Sequence, residues 1–164
     1  MTAEDDRRRQ VASELPYTRE SGDAPRDRSM ARAWALQVLY RWESGGGEGT
    51  LRQAFEETLD NRRVAPRRRP YIKRLLSALD AHLPEIDEQL VEALANWRME
   101  RLSALDRGVL RVAAAELLYL DDIPPRVSIQ EGIRLAEQYG GPESPRFVNG
   151  VLDALYRRMM ASLG

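Results

Sequence analysis

Apolar residues in this chain recur at intervals of three and four, stretch after stretch, and nowhere do they alternate over the length of a strand. That interval lines up one face of an α-helix, whereas a half-buried strand needs a period of two. β-Branched residues are sparse outside the helical stripes, and glycine and proline punctuate the gaps. The pattern predicts an all-α fold of about seven helices, and no internal repeat of fixed period suggests a solenoid.

Residues 1–29 mix Arg7 to Arg9, Arg19, Arg26 and Arg28 with seven acidic residues, Pro16 and Pro25, and have few large apolar side chains. Such a segment cannot bury enough surface to offset chain entropy and reads as a disordered leader, leaving 30–164 as the helical domain. The first helix, Met30 to Ser44, turns Ala31, Trp34, Ala35, Val38, Leu39 and Trp42 inward and leaves Gln37, Tyr40, Arg41 and Ser44 outside. Arg32 falls near the boundary. Gly45-Gly46-Gly47 ends it as a flexible turn; no Gly-Lys-Ser/Thr follows to make a phosphate loop.

A second helix spans about Thr50 to Asp60, a third about Tyr71 to His82, and Pro84 begins a fourth. His82 reads as a helix terminator bonding the last carbonyls. Ser103 and Asp106 have capping-box spacing for a fifth helix running through Leu118, apolar on most of its circumference and so central. Within it Arg107, Arg111 and Glu116 suggest a buried or half-buried ion pair. Ser128 to Glu131 reads as a second capping box that opens the sixth helix. The last begins with Ser144 as N-cap and Pro145 in its first turn, and Val148, Val151, Leu152, Leu155 and Met159 form its stripe. Gly150 interrupts that stripe at a cost of about 1 kcal/mol relative to alanine, which points to tight helix packing or a conformational need.

With 164 residues the chain is sized for one domain with a substantial core. It has no cysteine and a single histidine, which excludes disulfides, thiolate metal sites, cysteine nucleophiles and histidine clusters. No catalytic constellation, metal site or cofactor is expected. No apolar run reaches 18 residues, and charged residues occupy the amino terminus where a signal peptide needs an apolar core, so a soluble cytoplasmic protein is expected. The net charge of −1 hides a segment, Asn61 to Arg74, with six arginines, one lysine and no acidic residue. Such a segment suits either a polyanion or plain solvation. Tyr40 beside Gln37 and Arg32 offers a base-stacking surface of the kind that binds single-stranded RNA, although a helix-surface tyrosine packed on a neighbour is as common.

Ala33 to Glu43 (AWALQVLYRWE), Trp97-x-x-x-Arg101-Leu102, Asp106 to Arg111 (DRGVLR), Glu116, Asp122-Ile123-Pro124, Ile129-x-Glu131 and Phe147 to Asp153 (FVNGVLD) together resemble the NusB family of bacterial transcription antitermination factors. The resemblance covers about residues 30 to 158, in the family's order and spacing. It implies two small helical bundles, no catalysis, and a role in antitermination of ribosomal RNA transcription. It also implies a heterodimer with the ribosomal protein NusE that binds single-stranded boxA RNA within the transcription elongation complex of RNA polymerase and other Nus factors. No membrane or small-molecule substrate is implied.

By that resemblance the RNA surface comprises Arg28, Arg32, Gln37 and Tyr40 of the first helix with Glu143, Arg146 and Phe147 before and within the last, and Asp106 contacts NusE. Two features depart from the family pattern. The arginines before the first helix are spaced out, and the basic segment Arg62 to Arg74 is richer. Two other readings stand beside this one. The first is the helical RNA-binding module of an RNA cytosine methyltransferase, whose glycine-rich cofactor turn and catalytic cysteine this sequence lacks. The second is an adaptor that binds protein alone.

Overall fold

A computed structural model describes residues 24–163. Six α-helices follow one another: α1 (Pro25–Ser44), α2 (Leu51–Asn61), α3 (Arg69–Ala93), α4 (Ala104–Tyr119), α5 (Pro125–Tyr139) and α6 (Ser144–Leu163). Short 3-10 turns, Pro66–Arg68 and Met99–Arg101, precede α3 and α4. Helices α1 to α3 form one small bundle and α4 to α6 the other, and α4 joins them by packing against α1, α3, α5 and α6. Among the described residues no strand occurs, and no helix is long and apolar enough to cross a membrane.

The third and fourth helices expected from the sequence are both present and run on as α3, with a kink between them where His82 leaves helical angles (φ −132°, ψ 17°). The physical cause is Pro84, whose ring excludes the preceding turn's carbonyl and which has no amide to donate. His82 stacks flat on Tyr119 of α4, ring centroids 3.9 Å apart and planes 3° from parallel. The carboxylate of Asp80, just before the bend, accepts from the Leu51 and Arg52 amides at 2.8 and 3.2 Å. It shares the cap of α2 with Thr50, whose hydroxyl accepts from the Gln53 amide.

Three other expectations shift. The amino-terminal helix begins at Pro25 instead of Met30, because proline is at home in a first turn and Asp27 is anchored by two arginines; residues 1–23 of the expected leader lie outside the described residues. Helix α5 begins at Pro125, and Ser128 is not its cap: its hydroxyl donates to Glu116 at 2.8 Å. Gly150 does not pack tightly. A Cβ there would meet nothing within 4 Å, whereas one on Gly132 would come within 2.7 Å of Leu152 Cδ1, so Gly132 is where α5 and α6 need closeness.

Where the two bundles meet, one carboxylate gathers four helices. Glu116 of α4 takes two hydrogen bonds from the Arg32 guanidinium of α1, at 2.7 and 3.0 Å, one from the Tyr71 hydroxyl of α3 at 2.5 Å, and the one from Ser128 of α5. Burial, reinforced by the Glu116 charge, pushes the Tyr71 phenol well above its ordinary value and keeps it a donor. With Arg32 only 3% exposed and Glu116 1%, this polar cluster is part of the core. None of its buried polar side-chain atoms lacks a hydrogen-bond partner, which is the condition for tolerating a charge there.

Candidate nucleic-acid interface

The expected RNA residues fall into two groups. Arg28, Gln37 and Tyr40 lie along α1, with Arg28 about 18 Å from Tyr40 along the axis at 1.5 Å per residue. Tyr40 is 43% exposed and Gln37 half-buried. The Arg28 guanidinium lies over the Tyr71 ring, 5.0 Å from its centroid. Arg32 does not belong with them. Its buried guanidinium is consumed by Glu116, with Glu131 3.7 Å away, so it has neither the exposure nor the free donors to meet a phosphate.

The basic segment is likewise largely spent on the fold. Arg67 and Arg68 both reach Asp27 of α1, at 3.0 and 2.9 Å, Arg69 donates to the Val64 carbonyl, and Arg74 makes a two-pronged pair with Asp122. Burial alone would raise the Asp27 pKa, but the two arginines outweigh it and hold the carboxyl below its ordinary value. Arg74 does the same for Asp122. Arg62 and Arg63 are exposed.

The second group converges. Glu143 and Phe147, from the start of α6 and the residue before it, line one cleft of about 310 Å³ with Asp106 from the first turn of α4. Trp97, Arg101 and Pro142 complete its walls. Trp97 meets Phe147 edge to face, with ring centroids 5.6 Å apart and planes at 67°. Arg146, the remaining expected residue, is exposed beside Phe147 in the chain. Ser103 caps α4 by accepting from the Asp106 amide at 3.1 Å, which fixes the Asp106 backbone at the cleft. The Asp106 Oδ1 atom is buried without a hydrogen-bond partner.

Behind the cleft, Arg107 donates to the Met99 and Leu102 carbonyls and to Glu43 of α1. Arg111 bridges Glu43 to Asp87 of α3. These arginines do form half-buried ion pairs, as expected, but with partners outside α4; Glu116 is matched by Arg32 instead. The effect is to fix the loop that carries Trp97 against both bundles. Among the described residues no group of three or more histidine, aspartate or glutamate side chains is placed to hold a metal ion.

The sequence profile of the NusB family matches residues 29–157. The chain belongs to the NusB family. It is 42% identical over 132 residues to the transcription antitermination protein NusB of Desulfotalea psychrophila, covering 78% of this chain and 94% of that protein. Thermotoga maritima NusB superposes with a TM-score of 0.70 at 35% identity, over 79% of this chain and 90% of that one. A crystal structure of the antitermination factors NusB and NusE in complex with dsRNA matches with a TM-score of 0.70 at 32% identity, over 82% of this chain and 98% of that one. Two bundles joined by a central helix are thus the NusB architecture, and the cleft between α4 and α6 is a feature of this NusB chain's surface.

Trp97 is the cleft residue that the sequence reading passed over as a site. At 59% exposed it is the most open aromatic among the described residues. Periodicity turns Trp34 and Trp42 toward the core, where they are partly buried, but it assigns no face to Trp97, which lies between helices.

Proposed function

We propose that this NusB-family chain acts in transcription antitermination as a non-catalytic, cytoplasmic RNA-binding adaptor. In this reading it pairs with NusE, and the pair holds the single-stranded boxA element of ribosomal leader RNA for the elongation complex of RNA polymerase and other Nus factors. The observation that carries this is the convergence of Phe147, Glu143 and Asp106 on one open cleft in a chain whose relatives are named antitermination proteins.

The related complex holds dsRNA; unpaired RNA is favoured here because the exposed aromatics have faces to stack, and only a splayed base presents its own. Arg28 and Arg146 supply phosphate contacts, Tyr40 and Phe147 stacking, and Gln37 and Glu143 hydrogen bonds to base edges. Arg32 acts only through the fold. Asp106 is assigned to NusE on the family resemblance and on its place in the lining of the open cleft.

The test is a titration, at several salt concentrations, of boxA-type single-stranded RNA and a scrambled strand, first with the chain alone and then with NusE. Tighter boxA binding that NusE strengthens supports the adaptor. Equal binding that falls steeply with salt leaves only a basic surface. Asp106→Lys should weaken NusE association at least tenfold while circular dichroism keeps its helical signal; an undiminished partner affinity removes Asp106 from the interface.

A further inference from the structure

We propose that Trp97 and Phe147 form a slot for one unpaired nucleobase of a single-stranded RNA, with Arg101 in its lining, and Arg98 and Arg146 adjacent in the chain, engaging the flanking phosphates. This rests on the RNA-binding reading above and adds to it the residue, Trp97, that would hold the base.

An edge-to-face aromatic pair is an open corner. The two planes at 67° leave room for a flat ring to lie along one face while its edge abuts the other ring, and the exposure of Trp97 leaves that face uncovered. The cleft volume, about 310 Å³, lies at the small end of ligand pockets, which run from roughly 300 to 1,000 Å³. That is room for one planar group, not a folded segment.

Charge selects what carries the group. Several exposed arginines elsewhere are committed, Arg67 to Asp27, Arg158 to Glu92 and Arg157 to Asp153, while others, Arg62 and Arg63 among them, are open to solvent. Arg98, Arg101 and Arg146 are exposed, and no ion pair among the described residues engages them. Arg101 lines the corner itself, beside the Asp106 and Glu143 carboxylates, and Arg98 and Arg146 adjoin Trp97 and Phe147 in the chain. These cations with an open aromatic corner suit a phosphate chain that carries a flat substituent. The slot is also anchored, since Arg107 ties the carbonyls of Met99 and Leu102, which follow Trp97 in the same loop, to α1 through Glu43. A preformed corner loses little entropy on binding.

The experiment is an abasic scan. Each nucleotide of a boxA-type RNA is replaced in turn by an abasic one, and affinity for the full chain with NusE is measured for the wild type, Trp97→Ala and Trp97→Phe. The wild type should lose between about fivefold and about a hundredfold at one position, the range that a single base-aromatic stack supplies. Trp97→Ala should lose as much with intact RNA and then show less than about a twofold penalty at that position, while Trp97→Phe keeps most of the affinity. RNA should quench tryptophan emission more in the wild type than in Trp97→Phe.

The slot is refuted if Trp97→Ala binds intact RNA as tightly as the wild type, even while boxA selectivity persists and the antitermination reading stands. It is refuted equally if Trp97→Ala keeps the wild-type abasic profile and loses only NusE affinity, which would make the cleft a protein surface. A wild type that binds no RNA removes both readings together. Trp97 is largely solvent-exposed, so its truncation should leave the thermal midpoint within a degree or two.

Discussion

The junction around Glu116 and the cleft around Trp97 are built from the same residue types, arginine, carboxylate and aromatic, and end in opposite states. At the junction the Arg32 guanidinium, the Tyr71 hydroxyl and the Ser128 hydroxyl all converge on one carboxylate and water is excluded. In the cleft Trp97 keeps an open face, Glu143 is exposed, and Arg101 has no acidic partner among the described residues. An interaction satisfied within the chain contributes to folding and has nothing left for a ligand. One left open costs some stability and is available for binding.

The largest effect expected from breaking this contrast is at the junction. Arg32→Ala strands a buried carboxylate and should cost about 3–5 kcal/mol in urea-induced unfolding. Replacing the whole cluster by apolar groups, Arg32→Met and Glu116→Leu with Tyr71→Phe and Ser128→Ala, should restore most of that loss, because no buried donor is then left unanswered. An Arg32→Ala protein with wild-type stability and weakened RNA binding would reverse the assignment and return Arg32 to the ligand surface.

A smaller effect of opposite sign is expected on the exposed face of α6. Gly150→Ala meets nothing within 4 Å and should raise stability by about 1 kcal/mol, read as a higher thermal midpoint. If the variant is more stable but loses RNA or NusE affinity, the bare backbone there is needed for the approach of a partner, and the open region extends beyond the cleft.

The smallest effect concerns Asp27. Its folded pKa lies below its unfolded one, so its pairs with Arg67 and Arg68 stabilise the fold fully above the ordinary aspartate range. That contribution fades as pH falls through the lowered value. Asp27→Asn should cost about 1 kcal/mol or less near neutrality and flatten the acid limb of the stability profile, measured as the urea midpoint between about pH 5 and about pH 2.

Helical periodicity carried most of the fold in plain view: the stripes of α2, α4 and α6 lie where three- and four-residue spacing puts them, α1 buries a wider face that adds Ala33 and Leu36 to the expected one, and α4 is central because it is apolar nearly all round. What periodicity could not convey was pairing across long separations. Arg32 sits at the edge of the α1 stripe, and its partner Glu116 is 84 residues away. No local pattern distinguishes such an arginine from one that faces solvent. The Ser128 to Glu131 spacing satisfied the capping rule, yet Pro124 and Pro125 set the helix start and released the serine hydroxyl to the junction. Family resemblance located Glu143, Phe147 and Asp106. That they share one cleft with Trp97 depends on how α4 and α6 come together, which is a property of packing.

The cap that Asp80 places on α2 also orders events in time. Helix α2 has 11 residues, short enough to be marginal as an isolated helix, and two of its first amides find acceptors only on α3. It therefore forms durably only after the first half of α3 is in place. In native-state hydrogen exchange the Leu51 and Arg52 amides should open together with that half of α3, making a single cooperative unit of two helices that a basic loop keeps apart in the chain.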